Sequence, residues 1–460
     1  MNVRYKVEAE SIRAKWSRTG FILVAIGSAV GLGNLWRFPY IVGESGGGGF
    51  LLPFSIAFLL FAIPMMMMEF AAGRHYRKSV MGTLGSMRSR LRLLGLLPVI
   101  ITLGVFSYYL VITGWVLGYL VFSITGYIDF RTFTSSYLPV LFFLCTLLIT
   151  GFIVQFDVKT GIERVNRYLL PLLFVFLVVL LIKALTLPGV EEGIAYYLTI
   201  DFCSLSSPRI WVLAFGQAFF SLGVGYGILL TYGSYMLEDT DIPVSSGIIA
   251  LADFLVAFTA GFIIFPIVFS YGFSPASGPE LAFITLPAIF SNIFLGEILG
   301  PIFFLLLFIG AISSTISMME LGTATLTEEI HISRKFAVAL LMGILILIGL
   351  PSAISYAGTG LELAGLPFLD FMDLIFGTIF VPLVAAILCL AISWSIPREK
   401  LLGEINQYSR FPLPGALIYM LRYIIPAILI GILAFDTFSL FTGTGFTTGE
   451  FFCPFSTLLP

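Results

Sequence analysis

Charge is scarce in this 460-residue chain: Asp, Glu, Lys and Arg make up 11% of it, where a soluble domain carries roughly 25%. Hydrophobic residues account for 58%, so the chain reads as a polytopic membrane protein. Histidine is nearly missing. His75 and His331 are the two, both in segments read as cytoplasmic loops, and with no HExxH and no nucleophile–base pair the reading is not an enzyme. The four cysteines, Cys145, Cys203, Cys389 and Cys453, lie far apart without CxxC spacing, which argues against a metal site or a disulfide framework. A Cys203–Cys453 bridge would need both residues on the outer face. The net charge of −2, with no basic block, argues against a nucleic-acid partner. The first 18 residues are polar and charged, and no signal peptide is expected there.

What is abundant is apolar sequence in lengths that cross a bilayer, about 20 residues each. Eleven spans are expected, near 19–42, 48–71, 94–124, 138–155, 168–187, 208–236, 242–271, 298–327, 336–350, 367–395 and 414–440. Lys and Arg concentrate in alternate loops. Examples are Arg4, Lys6, Arg13, Lys15 and Arg18 before the first span, and Arg74, Arg77, Lys78, Arg88, Arg90 and Arg92 after the second. Further groups are Lys159, Arg164 and Arg167; Arg334 and Lys335; and Arg398, Lys400 and Arg410. The opposite loops carry Arg131 and Arg209. By the positive-inside rule the N-terminus is cytoplasmic and the C-terminus extracellular, in the plasma membrane.

Two spans are interrupted. Residues 27–34 read Gly-Ser-Ala-Val-Gly-Leu-Gly-Asn, and the sixth span contains Gly223-Val-Gly225-Tyr-Gly227. Glycine costs about 1 kcal/mol per residue inside a helix. A backbone group freed in hydrocarbon costs several kcal/mol unless something binds it. Close packing through small residues would explain one such cluster. Two clusters five spans apart point to two five-helix repeats of opposite topology, with a solute and ion site between the breaks.

The motifs around the breaks are long. Gly27-Ser-Ala-Val-Gly-Leu-Gly-Asn-Leu-Trp-Arg-Phe-Pro-Tyr40 is followed by Glu44-Ser-Gly-Gly-Gly-Gly-Phe50 and Glu69-Phe-Ala-Ala-Gly-Arg74. Ser107-Tyr-Tyr109, Gly216-Gln-Ala-Phe-Phe-Ser221, Ser313-Ser-Thr315 and Ser333-Arg-Lys335 continue the pattern along nearly the whole chain. This resembles the neurotransmitter:sodium symporter family, in particular its prokaryotic members that carry leucine and other hydrophobic amino acids. The resemblance implies an all-α inverted five-plus-five repeat with discontinuous helices 1 and 6. The parts would be a cytoplasmic segment 1–18, repeats 19–187 and 188–395, an eleventh span with its loop 396–440, and an extracellular tail 441–460. It also implies sodium-coupled symport of an amino acid by alternating access, with oligomeric state left open.

Residue by residue, the resemblance implies a first sodium site at Ala29, Asn34, Ser221 and Asp253, completed by the substrate carboxylate. A second would use carbonyls of Gly27, Val30 and Gly310 and hydroxyls of Ser313 and Ser314. Sodium is a hard cation and takes oxygen ligands. Asp253 stands where many members carry asparagine. Ala257 and Phe54 replace a serine and a tyrosine of the animal members' chloride site, so chloride is not expected to be required. The substrate would lie against Ala29, Leu32, Gly33, Tyr109, Phe220 and Ser221, its side chain among Val105, Phe220, Gly223, Tyr226, Thr315 and Met318. That lining carries no charge, which suits large hydrophobic or aromatic amino acids. Glycine, betaine or a GABA-like zwitterion, and a non-transporting sensor, are the alternatives. An outer gate would pair Arg37 with Asp373 above Tyr109 and Phe220. An inner gate would pair Arg13 with Glu328 beside Trp16. Glu69 is expected to bond the backbone of the broken first helix, Met65–Met68 to face lipid or fill the core, and Glu320 has no partner legible in the sequence.

Overall fold

The computed structural model describes residues 16–275, 282–291, 295–357 and 361–442. Within them the chain is helical apart from one hairpin, β1 Glu362–Leu363 paired antiparallel with β2 Leu366–Pro367. Eight helices are long and apolar enough to cross a bilayer without a sharp break. They are Gly48–Tyr76, Ser89–Thr125, Lys159–Ala184, Ile242–Ser270, Gly296–Glu329, Arg334–Ala353, Phe368–Ser395 and Ala416–Phe435. The pair Arg18–Ala29 and Gly33–Glu44, bent by 44°, is the first span. Leu138–Val154, of 17 residues, is the fourth. Pro208–Leu222 and Ile228–Tyr235 are the two halves of the sixth. The total matches the eleven expected, with the third and fifth spans starting earlier, at Ser89 and Lys159.

The first span stops because Val30 turns extended (φ −73°, ψ 106°) after its N–H has bonded Ile26 O at 2.7 Å. It restarts as a wide π turn over Gly33–Arg37. The sixth span breaks more sharply. Gly223, Gly225 and Gly227 all have positive φ (65°, 89° and 79°), a backbone region that costs other L-residues roughly 1–2 kcal/mol each. The fold therefore requires glycine at these three positions.

The third and eighth spans form the enclosed centre, packed along each other, while the fifth, ninth, tenth and eleventh turn most of their surface outward. The second span lies against both halves of the sixth. This resolves the run Met65–Met68: all four side chains are buried and fill the core.

Candidate functional site

The two breaks meet at the middle of the molecule, and the polar groups they free find specific partners. Gln217, on the first half of the sixth span, donates from Nε2 to Gly33 O at 2.7 Å. Asn34 Oδ1 accepts from Gly31 N–H at 3.0 Å. Leu32 N–H faces the Tyr109 hydroxyl at 3.4 Å. In the sixth span, Gly225 N–H donates to Glu69 Oε1 at 2.7 Å. Glu69 thus serves the break in the sixth span, correcting the expectation that it serves the first; its helix packs directly on Ile228–Tyr235.

Three of the four residues assigned to the first cation site converge. Asn34 Nδ2 donates to Asp253 Oδ1 at 2.7 Å and to Ser221 Oγ at 2.9 Å, and Ser221 Oγ donates to Asp253 Oδ2 at 2.8 Å. Asp253 is fully buried, and none of the ion pairs among the described residues gives it a basic partner. A buried carboxylate held only by neutral donors is expensive; a cation bound there would supply the missing charge, and carboxylate, hydroxyl and carbonyl oxygens suit a hard one. Ala29 lies at the adjoining break and lines the small cavity described below.

The residues expected to form a second cation site lie between the first and eighth spans. Ser313 Oγ and Ser314 Oγ both reach Gly310 O, at 2.8 and 3.3 Å, and Ser314 Oγ also reaches Ser28 O at 3.4 Å. Gly31 and Gly310 allow the helices to touch: a Cβ on Gly310 would lie 3.3 Å from Gly31 Cα. Gly27 sits opposite Ser313, whose Cβ would be 3.5 Å from a Cβ on Gly27, and Val30 is buried beside it. These oxygens also fit a hard cation.

Between the cation sets lies a cavity of about 30 Å³, lined by Ala29, Gly33, Tyr109, Phe220, Gly223, Tyr226 and Met318 among others, none of them charged. A second cavity of about 400 Å³ is lined by Leu32, Arg37, Tyr108, Tyr109, Phe220 and Asp373 among others. Tyr109 and Phe220 line both and stand between them. Val105 and Thr315 do not line the small cavity. Thr315 is instead tied to the fourth span, its Oγ1 2.9 Å from Thr150 Oγ1. Leu32 lines the larger cavity.

The proposed outer pair is not formed. Arg37 Nη1 donates to Gln217 Oε1 at 2.6 Å and its guanidinium lies 4.9 Å from the Phe220 ring centroid, while Asp373 borders the same large cavity. At the opposite end of the bundle, Trp16 is buried edge-on to Tyr232 and Tyr235, and its indole N–H donates to Val158 O at 3.3 Å. Arg13 lies outside the described residues; Glu328 accepts from Ser79 N–H at 2.7 Å. Glu320 does have a partner: Arg334 contacts both its oxygens, at 2.5 and 3.1 Å, and Tyr235 donates to it at 2.8 Å. Arg334 and Gln217 both belong to the motifs, but the motifs do not name their partners, which lie 14 and 184 residues away in the sequence.

A helical bundle with two mid-membrane breaks, oxygen-rich cation sets beside them and a neutral cavity between is the architecture of a secondary transporter. The family model described as "Sodium:neurotransmitter symporter family" matches residues 13–141 and 138–454, and the chain belongs to that family. An uncharacterized sodium-dependent transporter of Haemophilus influenzae is 33% identical over 399 residues, covering 81% of this chain and 87% of that protein. An uncharacterized sodium-dependent transporter of Bacillus subtilis is 33% identical over 452 residues, covering 93% of this chain and all of that protein. Among solved structures, MhsT in complex with L-phenylalanine superposes with a TM-score of 0.85 at 38% identity, covering 92% of this chain and 99% of that one. The chain is therefore a multi-pass member of this sodium-dependent family with the inverted-repeat fold.

Proposed function

We propose that this chain is a sodium-coupled importer of neutral amino acids with large hydrophobic or aromatic side chains. The observation that carries the reading is an uncharged cavity at the junction of two broken helices, beside the buried, unneutralised Asp253. The first sodium is held by Asp253, Ser221, Asn34 and the Ala29 carbonyl, next to the substrate carboxylate. The second is held by Ser313, Ser314 and the carbonyls of Gly27, Val30 and Gly310. The substrate carboxylate meets the freed amides near Leu32 and Gly33 at the N-terminus of a half-helix, where the potential is positive, and the Tyr109 hydroxyl. As it stands, the cavity of about 30 Å³ is far smaller than the roughly 150 Å³ that admits a benzene ring, so an aromatic side chain enters only as Phe220 and Met318 shift. A Cβ on Gly216 or Gly223 would meet nothing within 4 Å, which leaves space for that shift. The solved relative bound to L-phenylalanine supports the same size class.

Chloride is dispensable in this reading. Phe54 and Phe254 stack at 5.9 Å and Ala257 is buried, so apolar groups fill the region, and Asp253 carries a fixed negative charge. Two sodium ions falling through 100 mV and a tenfold gradient release about 7 kcal/mol, enough for roughly 10⁵-fold accumulation of a neutral solute. The basic loops support a cytoplasmic N-terminus in the plasma membrane.

The test is equilibrium binding of each of the twenty amino acids to the purified protein in sodium against choline. Sodium-stimulated binding that favours Phe, Leu, Trp or Tyr is the expected result. No sodium-stimulated binding of any amino acid would overturn the reading, and a preference for glycine would overturn the side-chain assignment.

A further inference from the structure

The fifth span brings to this region a polar group that none of the interactions above uses. Asn166 is 1% exposed. Its Nδ2 donates to Ile162 O, one turn back, at 3.0 Å. That bond fixes the amide's orientation, because turning it over would set Oδ1 against a carbonyl oxygen. Oδ1 is left with no hydrogen-bond partner. It points at Gly27: a Cβ built there would lie 2.1 Å from Oδ1 and 3.5 Å from Ser313 Cβ. The oxygen, Gly27 and Ser313 therefore share one corner, and any side chain at 27 would fill it. A buried acceptor left without a partner costs about 1–3 kcal/mol. The second cation set contains no carboxylate, so its ion depends on the number of neutral oxygens around it.

We propose that Asn166 Oδ1 belongs to the coordination sphere of the second sodium, contributed by the fifth span alongside Gly27, Val30, Gly310, Ser313 and Ser314. The inference rests on the proposed placement of that ion. It also accounts for the glycine at 27, which keeps the corner open for the ion as well as supplying a carbonyl.

The probe is sodium itself, read by thermal unfolding of the purified full-length protein in NaCl against choline chloride at equal ionic strength. The background is Asp253→Asn, which weakens the first site, so that the response at low sodium is dominated by the second. Asn166→Leu, nearly isosteric, should need about tenfold more sodium for the same stabilisation, the low end of what loss of an outer partner costs a metal site, with its unfolding temperature in choline not lowered. Asn166→Asp should move the sodium midpoint down, and carries the test if the leucine variant does not fold. A leucine variant that follows the parent sodium curve would overturn the proposal. So would one that loses the same stability in both salts, the mark of a helix-packing role. If the parent gains nothing from sodium over choline while the wild type does, the placement of the second ion fails, and the proposal with it.

Discussion

At the scale of single residues, two buried acids separate function from structure. Glu320 and Asp253 are both fully buried. Glu320 is neutralised by Arg334 and capped by Tyr235; Asp253 is held by Asn34 and Ser221 alone. The first carries its counter-charge permanently and the second is short of one, which is the condition a coupling ion satisfies. Asp253→Asn should therefore raise the sodium needed for half-maximal amino-acid binding by about tenfold or more. Wild-type uptake should be unchanged when gluconate replaces chloride, whereas residual uptake by the variant should become chloride-sensitive. An unchanged sodium titration removes Asp253 from the site, and a strong chloride requirement in the wild type removes its role as the fixed anion. Asp253 was visible in the sequence because an acid inside an apolar run is conspicuous. Which acid is neutralised was not, since the answer lies in Arg334, beyond the end of a helix and across a loop.

At the scale of elements, the interrupted helices were legible because glycine clusters are a local signal, and span lengths because apolar runs are. Their guests were not, because those choices are made over long separations. Glu69 reaches Gly225 across 156 residues, which corrects its expected target, and Arg37 is taken by Gln217 across 180, so its pair with Asp373 is not formed in this structure. The break in the sixth span offers an internal comparison. Gly223 (φ 65°) faces open space, whereas a Cβ on Gly225 (φ 89°) would come within 2.4 Å of Ala385 Cβ and 2.8 Å of its Cα on the tenth span. Gly223→Ala should cost the left-handed strain alone, roughly 1–2 kcal/mol. Gly225→Ala should add about 1–3 kcal/mol of overpacking and disturb the amide that Glu69 holds. Thermal unfolding in detergent should rank Gly225→Ala clearly below Gly223→Ala, and equal losses would mean that the tenth span yields to the added methyl.

At the scale of the whole molecule, the two ends are held differently. The end that the basic loops would make the inner one is fastened by buried Trp16 edge-on to Tyr232 and Tyr235, by the Arg18–Asp239 pair, by Arg77 on Met236 O, and by Arg334 on Glu320. At the opposite end Arg37 and Asp373 both line a cavity of about 400 Å³ without forming an ion pair with each other. Exposed pairs such as Arg18–Asp239 are worth about 0–1 kcal/mol and can be made and broken in every cycle. In the Glu320–Arg334 pair the carboxylate is fully buried and the arginine side chain 22% exposed, so breaking it costs up to what a fully buried pair does, about 3–5 kcal/mol. It is thus a stronger fastening than the exposed Arg18–Asp239 pair. Glu320→Gln removes its charge but leaves Arg334 donating to Val154 O and Phe156 O at 2.8 and 2.7 Å, so the fold retains that anchor while the closed inner end loses stability relative to the open one. Each 1.4 kcal/mol lost shifts that balance about tenfold. A cysteine at Ile112, in the wall of the large cavity, placed in a chain whose four native cysteines have been replaced, reports the balance through its rate of labelling from outside. Glu320→Gln should slow that labelling severalfold in sodium-free medium, and sodium with bound amino acid should restore part of it. Labelling as fast as in the parent would mean that the Glu320–Arg334 pair holds the eighth and ninth spans together in every state and does not gate the inner end.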